Sequence, residues 1–233
     1  MIKTSLYNQW SGPWANRILT PSNFLFANYG CFIDALTMGL PNWAILRDDG
    51  TPLDPGEVLT KLIAKNALNS DGFLTYDGVM RTFPQLYYHD RVYTTNDPSS
   101  NHSEMNADIA VRKVKKLLDH GQPTILAVDN ADNDGYPDHA VLAYDYILGS
   151  DGKISDFFIN DPDGGRAIKF TEKYGPPLTK LYGYVAIIGP PLEYPSQSTD
   201  ADDGTSIWKS AEIKKGHNVQ TYSRELIDSF LSV

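Results

Sequence analysis

The spacing of apolar residues gives the first half of the chain helical periods and the second half strand periods. The run Cys31 to Leu40 (CFIDALTMGL) is apolar on all sides and stops at Gly39 and Pro41, which predicts a short buried helix. Asp54-Pro55-Gly56-Glu57 is a helix start: Asp54 is the N-cap, Pro55 takes the first helical position and Glu57 completes a capping box. Val58, Leu59, Leu62 and Ile63 then mark one face. A short helix is expected over Tyr76 to Phe83, after the Asp71-Gly72 turn. Residues 84–104 are polar and read as a loop, with one short strand at Leu86–Tyr88. Ala110, Val111, Val114, Leu117 and Leu118 mark a helix over 105–120, which Gly121 ends.

The period then shortens. Thr124–Asp129 is a strand entered through Pro123, residues 130–138 are a loop, and His139–Leu148 is a strand. Gly149-Ser150-Asp151-Gly152 turns the chain so that Lys153–Asn160 pairs back as a hairpin. Arg166–Phe170 and Leu181–Ile188 are further strands. Helices followed by an antiparallel sheet predict an α+β fold. Pro190-Pro191 closes this domain, which spans 1–190. Residues 191–217 have the composition of an acidic linker, and 218–233 carry Tyr222, Leu226, Ile227, Phe230 and Leu231 at helical spacing. That last helix can fold back on the core or dock on a protein partner.

Composition narrows the function classes. Of 233 residues, 41% are hydrophobic and 21% charged, an ordinary globular balance. Twenty basic against 29 acidic residues leave a formal charge of -9, which argues against nucleic-acid or anionic-membrane binding, since phosphate contacts need Lys and Arg. No apolar stretch approaches the roughly 20 residues of a spanning helix, so no membrane insertion is expected. The N-terminus MIKTSLYNQW lacks the apolar region of a signal peptide, so synthesis in a cytoplasm is expected. Nothing in the sequence asks for a cofactor. A single cysteine, Cys31, leaves no intramolecular disulfide.

Cys31 is also the first candidate for chemistry. The plain reading is a small buried hydrophobe. Its setting, after Asn28-Tyr29-Gly30 and at a helix start, adds free N–H groups and a positive dipole end, both of which favour a thiolate. A thiolate needs a base, and the base an orienting group. Of the five histidines, His89 and His102 lie in or beside the polar middle segment, His120 ends a helix and His217 lies in the tail. His139 alone opens a strand, directly after a loop. The hairpin brings the end of its partner strand, Asn160-Asp161-Pro162, near that opening, so either Asp161 or Asn160 could orient the imidazole. Asp161-Pro162-Asp163-Gly164-Gly165 is equally strong turn chemistry. The Cys31 N–H is one oxyanion donor, and Gln9 supplies an amide upstream for a second. Trp10 and Trp14 can wall a groove beside Gln9 or pack into the core.

Asn130-x-Asp132-x-Asp134-Gly135 resembles the first half of a calcium loop. The twelfth position is Val141 rather than Glu, so an EF-hand is excluded. A solvated turn is the simpler reading, and a calcium site of another kind the alternative.

The ordered set Gln9-Trp10 with Trp14, Gly30-Cys31, Asp54-Pro55, Asp71-Gly72, Gly121-Gln122-Pro123, His139 and Asn160-Asp161-Pro162 resembles the papain-like cysteine peptidases of the bacteriocin-processing (double-glycine leader peptidase, C39-like) type. The closest likeness is to their stand-alone phage and bacterial forms, and it covers roughly residues 5 to 190. It implies a papain-like fold with N-terminal helices packed on a C-terminal antiparallel sheet. It implies Cys31 as nucleophile, His139 as base, Asp161 as orienting acid and Gln9 as oxyanion donor. Phe32-Ile33-Asp34 after the cysteine, and Ala143-Tyr144-Asp145 in the strand after the histidine, depart from the family pattern. The expected activity is cleavage of an amide bond in a peptide or in the peptide part of the bacterial cell wall, by a protein carried in a virion or released by lysis. Acyl transfer or amidase activity on the same residues, and a non-catalytic structural or binding module on the same fold, are the rival readings.

Overall fold

The computed structural model describes residues 1–97, 105–130 and 137–190, and all that follows concerns these. Met1–Pro191 forms one compact unit; the linker and tail helix expected beyond it lie outside the described residues. The fold is α+β. Six strands form one antiparallel sheet: β1 (Tyr87–Tyr93), β2 (Thr124–Val128), β3 (His139–Leu148), β4 (Ile154–Asp161), β5 (Arg166–Lys169) and β6 (Gly183–Ile188). Their order across the sheet is β1-β6-β2-β3-β4-β5, and every neighbouring pair is antiparallel.

The helices form where the sequence supplies their ends. After α1 (Phe26–Tyr29) and α2 (Cys31–Gly39), a 3-10 turn covers Leu40–Trp43. In α3 (Pro55–Ala64) the Asp54 side chain accepts from the Glu57 N–H at 2.9 Å and Glu57 accepts from the Asp54 N–H at 2.8 Å, so the capping box is complete. Thr75 caps α4 (Tyr76–Thr82), and Asn106 caps α5 (Ala107–Asp119). Two short helices, α6 (Phe170–Lys173) and α7 (Pro177–Lys180), interrupt the strands of the second half.

The sheet is covered on both faces. Ile125, Ala140, Leu142, Val185 and Ile187 share one core with Ile33, Leu36, Leu59 and Leu62 of α2 and α3. Their neighbours Leu126, Val141, Ala143, Tyr184 and Ala186 share the other with Ala110, Val111 and Val114 of α5 and with Phe170. Alternate residues therefore feed opposite cores, as the two-residue period of a strand demands. With both faces dry, β2, β3 and β6 read as continuous apolar runs rather than alternating ones. The architecture is thus helix–sheet–helix, with α2 and α3 on one face and α5 on the other.

One expectation is corrected. The sequence suggests a strand of three residues within a polar loop at 84–104, yet β1 runs seven residues and pairs with β6 from Tyr87↔Ile188 to Tyr93↔Gly183. It is an edge strand, mostly half-exposed, with a bulge between Tyr88 and Asp90, so it lacks the apolar signature of the central strands.

Leu36 has no exposed surface and sits where α2 meets the sheet. Leu36→Ala should lower the unfolding free energy by about 2–5 kcal/mol, read from urea denaturation with an unchanged slope.

Candidate active site

Cys31 begins α2, so its N–H is among the first four, which have no acceptor within the helix. Gly30 joins α1 to α2. A side chain there would put Cβ 2.5 Å from the Phe26 carbonyl oxygen and 2.6 Å from its ring, so only glycine lets the two helices close up. The Cys31 side chain is half-buried, which leaves it reachable.

The strand pairing selects the partner of His139. Leu142 opposes Asn160 across β3 and β4. Asp161 is the next residue along β4, toward the end where His139 opens β3. His139 Nε2 lies 2.8 Å from Asp161 Oδ1. Asn160 points to the opposite face, where its amide donates to Thr4 Oγ1 at 3.0 Å and to the Ser5 carbonyl at 2.9 Å, fastening the N-terminal segment. The period of the strand therefore decides between the two candidates that the sequence leaves open. With Nε2 engaged, Nδ1 is the nitrogen left to interact with Cys31, the other side chain that favours a charge on His139.

Asp161 has no exposed surface, and four donors converge on it. Oδ1 accepts from His139 and from the Asp163 N–H at 2.9 Å. Oδ2 accepts from Lys173 Nζ at 2.8 Å and from the Tyr174 hydroxyl at 2.8 Å. Burial works against its charge, but His139 and Lys173 outweigh burial and hold the carboxyl at about 2. Burial likewise opposes a charge on His139, and Asp161 with Cys31 outweighs it, raising the imidazole to about 9. Both partners thus favour the charged imidazolium. Tyr174, buried against Asp161, is pushed upward and keeps its proton to donate. The Asp161-to-Gly165 turn forms as its composition predicts, with Gly164 and Gly165 both at positive φ (82° and 61°).

Gln9 is buried beside α1. Its Nε2 donates to the Ala27 carbonyl at 2.8 Å, and its backbone N–H donates to the Pro162 carbonyl at 3.1 Å. The side-chain amide nitrogen carries a second N–H. The two tryptophans divide their roles. Trp14 packs edge-on against Tyr7, with ring centroids 5.7 Å apart, and joins the core. Trp10 is exposed.

Four further residues belong to this cluster. Lys173 and Tyr174 carry no spacing signal, because β5 and α6 fold back to bring them to Asp161. Asp163 is hidden in a turn motif. Asp34 leaves one trace in the sequence, a charged residue inside an apolar run. It lies one turn after Cys31, fully buried, and neither oxygen has a hydrogen-bond partner. Burial pushes its carboxyl up to about 8, although the charge of His139 pulls the other way. Burial thus favours the protonated form of Asp34.

Among the described residues, no three His, Cys, Asp or Glu side chains gather to hold a metal. Of the calcium candidates, Asp132 and Asp134 lie outside the described residues. Asn130 uses its backbone N–H to reach Asp138 Oδ1 at 2.8 Å. A hollow of about 320 Å³ between α5 and the β3–β4 turn touches none of the site residues. No helix among the described residues is long and apolar enough to cross a membrane.

Asp34 makes stability depend on pH in a definite direction. In the unfolded chain it ionises near 3.8, whereas in the fold it holds its proton to about 8. The unfolded state thus loses a proton first, and stability falls as pH rises through that window. Asp34→Asn has no such proton. Its stability relative to wild type should rise between pH 5 and pH 7 by on the order of 1 kcal/mol per pH unit, measured by urea denaturation at each pH. A difference that stays flat with pH would mean that Asp34 is ionised in the fold.

The chain matches no family model, no curated protein and no solved structure, so its chemistry rests on this geometry.

Proposed function

We propose that this protein is a thiol hydrolase of papain-like fold that cleaves an amide bond through an acyl-enzyme. The observation that carries the reading is the buried His139–Asp161 hydrogen bond at 2.8 Å, with Asp161 held by three further donors and the half-buried Cys31 near enough to His139 to favour its charge. An imidazolium beside a thiol is the arrangement that yields a thiolate nucleophile at neutral pH.

In this mechanism Cys31 Sγ attacks the carbonyl carbon of the scissile amide. The Cys31 N–H and the second N–H of Gln9 stabilise the oxyanion, each such donor being worth about 3 kcal/mol in the transition state. His139 passes its proton to the leaving nitrogen as the C–N bond breaks. It then accepts a proton from water as that water attacks the thioester, and Cys31 departs as thiolate. Asp161 fixes the ring so that one nitrogen always faces Cys31. The substrate class proposed is a peptide, including the peptide part of bacterial cell wall.

Release of new amino groups from casein and from purified peptidoglycan, followed with a ninhydrin-type reagent, tests this reading. Wild type should cleave at least one of them. Cys31→Ala should abolish cleavage, and Asp161→Asn should lower kcat by about a hundredfold or more. Hydrolysis of neither material, or cleavage that survives Cys31→Ala, would contradict the reading and favour a non-catalytic module on this fold.

A further inference from the structure

Trp10 is the residue next to Gln9, and it is 51% exposed. An exposed ring is ordinarily free to rotate. This one is pinned at its edge: Nε1 donates to Asp163 Oδ1 at 2.9 Å. Asp163 is itself fixed, because Lys173 donates to its Oδ2 at 2.7 Å and its own N–H donates to Asp161 Oδ1. The Trp10 N–H donates to Asn8 Oδ1 at 2.9 Å, and the neighbouring Gln9 N–H holds the Pro162 carbonyl. The indole is thus anchored to the same turn, the same lysine and the same carboxylate that orient His139, with its face left to solvent.

The chain leading into Cys31 carries exposed apolar residues too. Tyr29, two residues before Cys31, is exposed and stacks on exposed Phe24, with centroids 4.2 Å apart and planes at 22°. Six of the twelve exposed large apolar side chains among the described residues (Leu6, Trp10, Ile18, Phe24, Leu25, Tyr29) fall between positions 6 and 29, in the segment that supplies Gln9 and leads into Cys31. The charges at the rim are already committed: both oxygens of Asp163 and both of Asp161 have donors. The rim therefore offers a rigid aromatic face beside carboxylates that already have donors, which suits an apolar group and loses little entropy when one binds.

We propose that the Trp10 indole, held by Asp163, is the wall of a substrate subsite beside Cys31 that takes an apolar side chain of the peptide to be cleaved. The assignment rests on the thiol hydrolase reading.

Affinity labelling of Cys31 tests it without a known substrate. N-acyl aminoacyl chloromethyl ketones bearing Phe, Leu, Ala or Asp side chains are compared with iodoacetamide, which carries no side chain. In wild type the Phe and Leu reagents should label at least about tenfold faster than the Ala reagent, the range a hydrophobic subsite provides. In Trp10→Ala that preference should fall below about threefold, with rates normalised to iodoacetamide, and Trp10→Phe should restore part of it. No preference in wild type, or a preference unchanged in Trp10→Ala, would overturn the subsite. A wild-type dimer that Trp10→Ala dissociates, with labelling preference intact, would assign the surface to a second copy and also overturn it. Failure of the hydrolase reading is separate: iodoacetamide would then label wild type no faster than His139→Ala, whatever Trp10 does.

Discussion

A carboxylate without exposed surface persists in a fold only when donors match its oxygens, because an isolated buried charge costs several kcal/mol. Asp161 is such a group, and its four donors come from three separate places: the first residue of β3, the turn after β4, and the end of α6 with the residue that follows it. Meeting its needs fixes how the hairpin, the turn and α6 sit together. It also fixes the direction of the His139 ring, and through Asp163 the position of Trp10. Replacing any one donor leaves charge or polarity buried without a match, so the cluster is bound to act as a unit.

Two buried carboxyls flank the same imidazole and end in opposite states. Asp161, with donors on both oxygens, is held at about 2, while Asp34, with none, is pushed up to about 8. Burial acts on both in the same direction. What separates them is hydrogen bonding and the lysine, not depth. Pairs of titratable groups driven apart in this way are a mark of sites that divide acid and base roles. Here the division leaves one carboxylate to orient His139 and favours the protonated form of the other, one helical turn after Cys31.

Much of this was legible in the residues. Asp54-Pro55-Gly56-Glu57 announces a capped helix because the cap is a local interaction. The Gly149-to-Gly152 turn announces the hairpin for the same reason, and with it the approach of Asn160-Asp161 to His139. The choice between Asn160 and Asp161 was not legible, since it depends on the register of β3 against β4. Lys173 and Tyr174 were hidden because their contacts cross from α6 to β4. Strand β1 was hidden because its pairing partner β6 lies almost a hundred residues away and its own side chains are half-exposed. The second covered face of the sheet left its trace only as uninterrupted apolar runs, which the sequence assigns to strands without saying what lies above and below them.

The most direct test of the central claim is the rate at which iodoacetamide alkylates Cys31 between pH 5 and pH 10, in wild type and in His139→Ala. If Cys31 and His139 form a thiolate–imidazolium pair, wild type should react at pH 6 at least about tenfold faster than the variant, and the two should converge at alkaline pH. Equal rates across the whole range would contradict the pair and, with it, the acyl-enzyme mechanism.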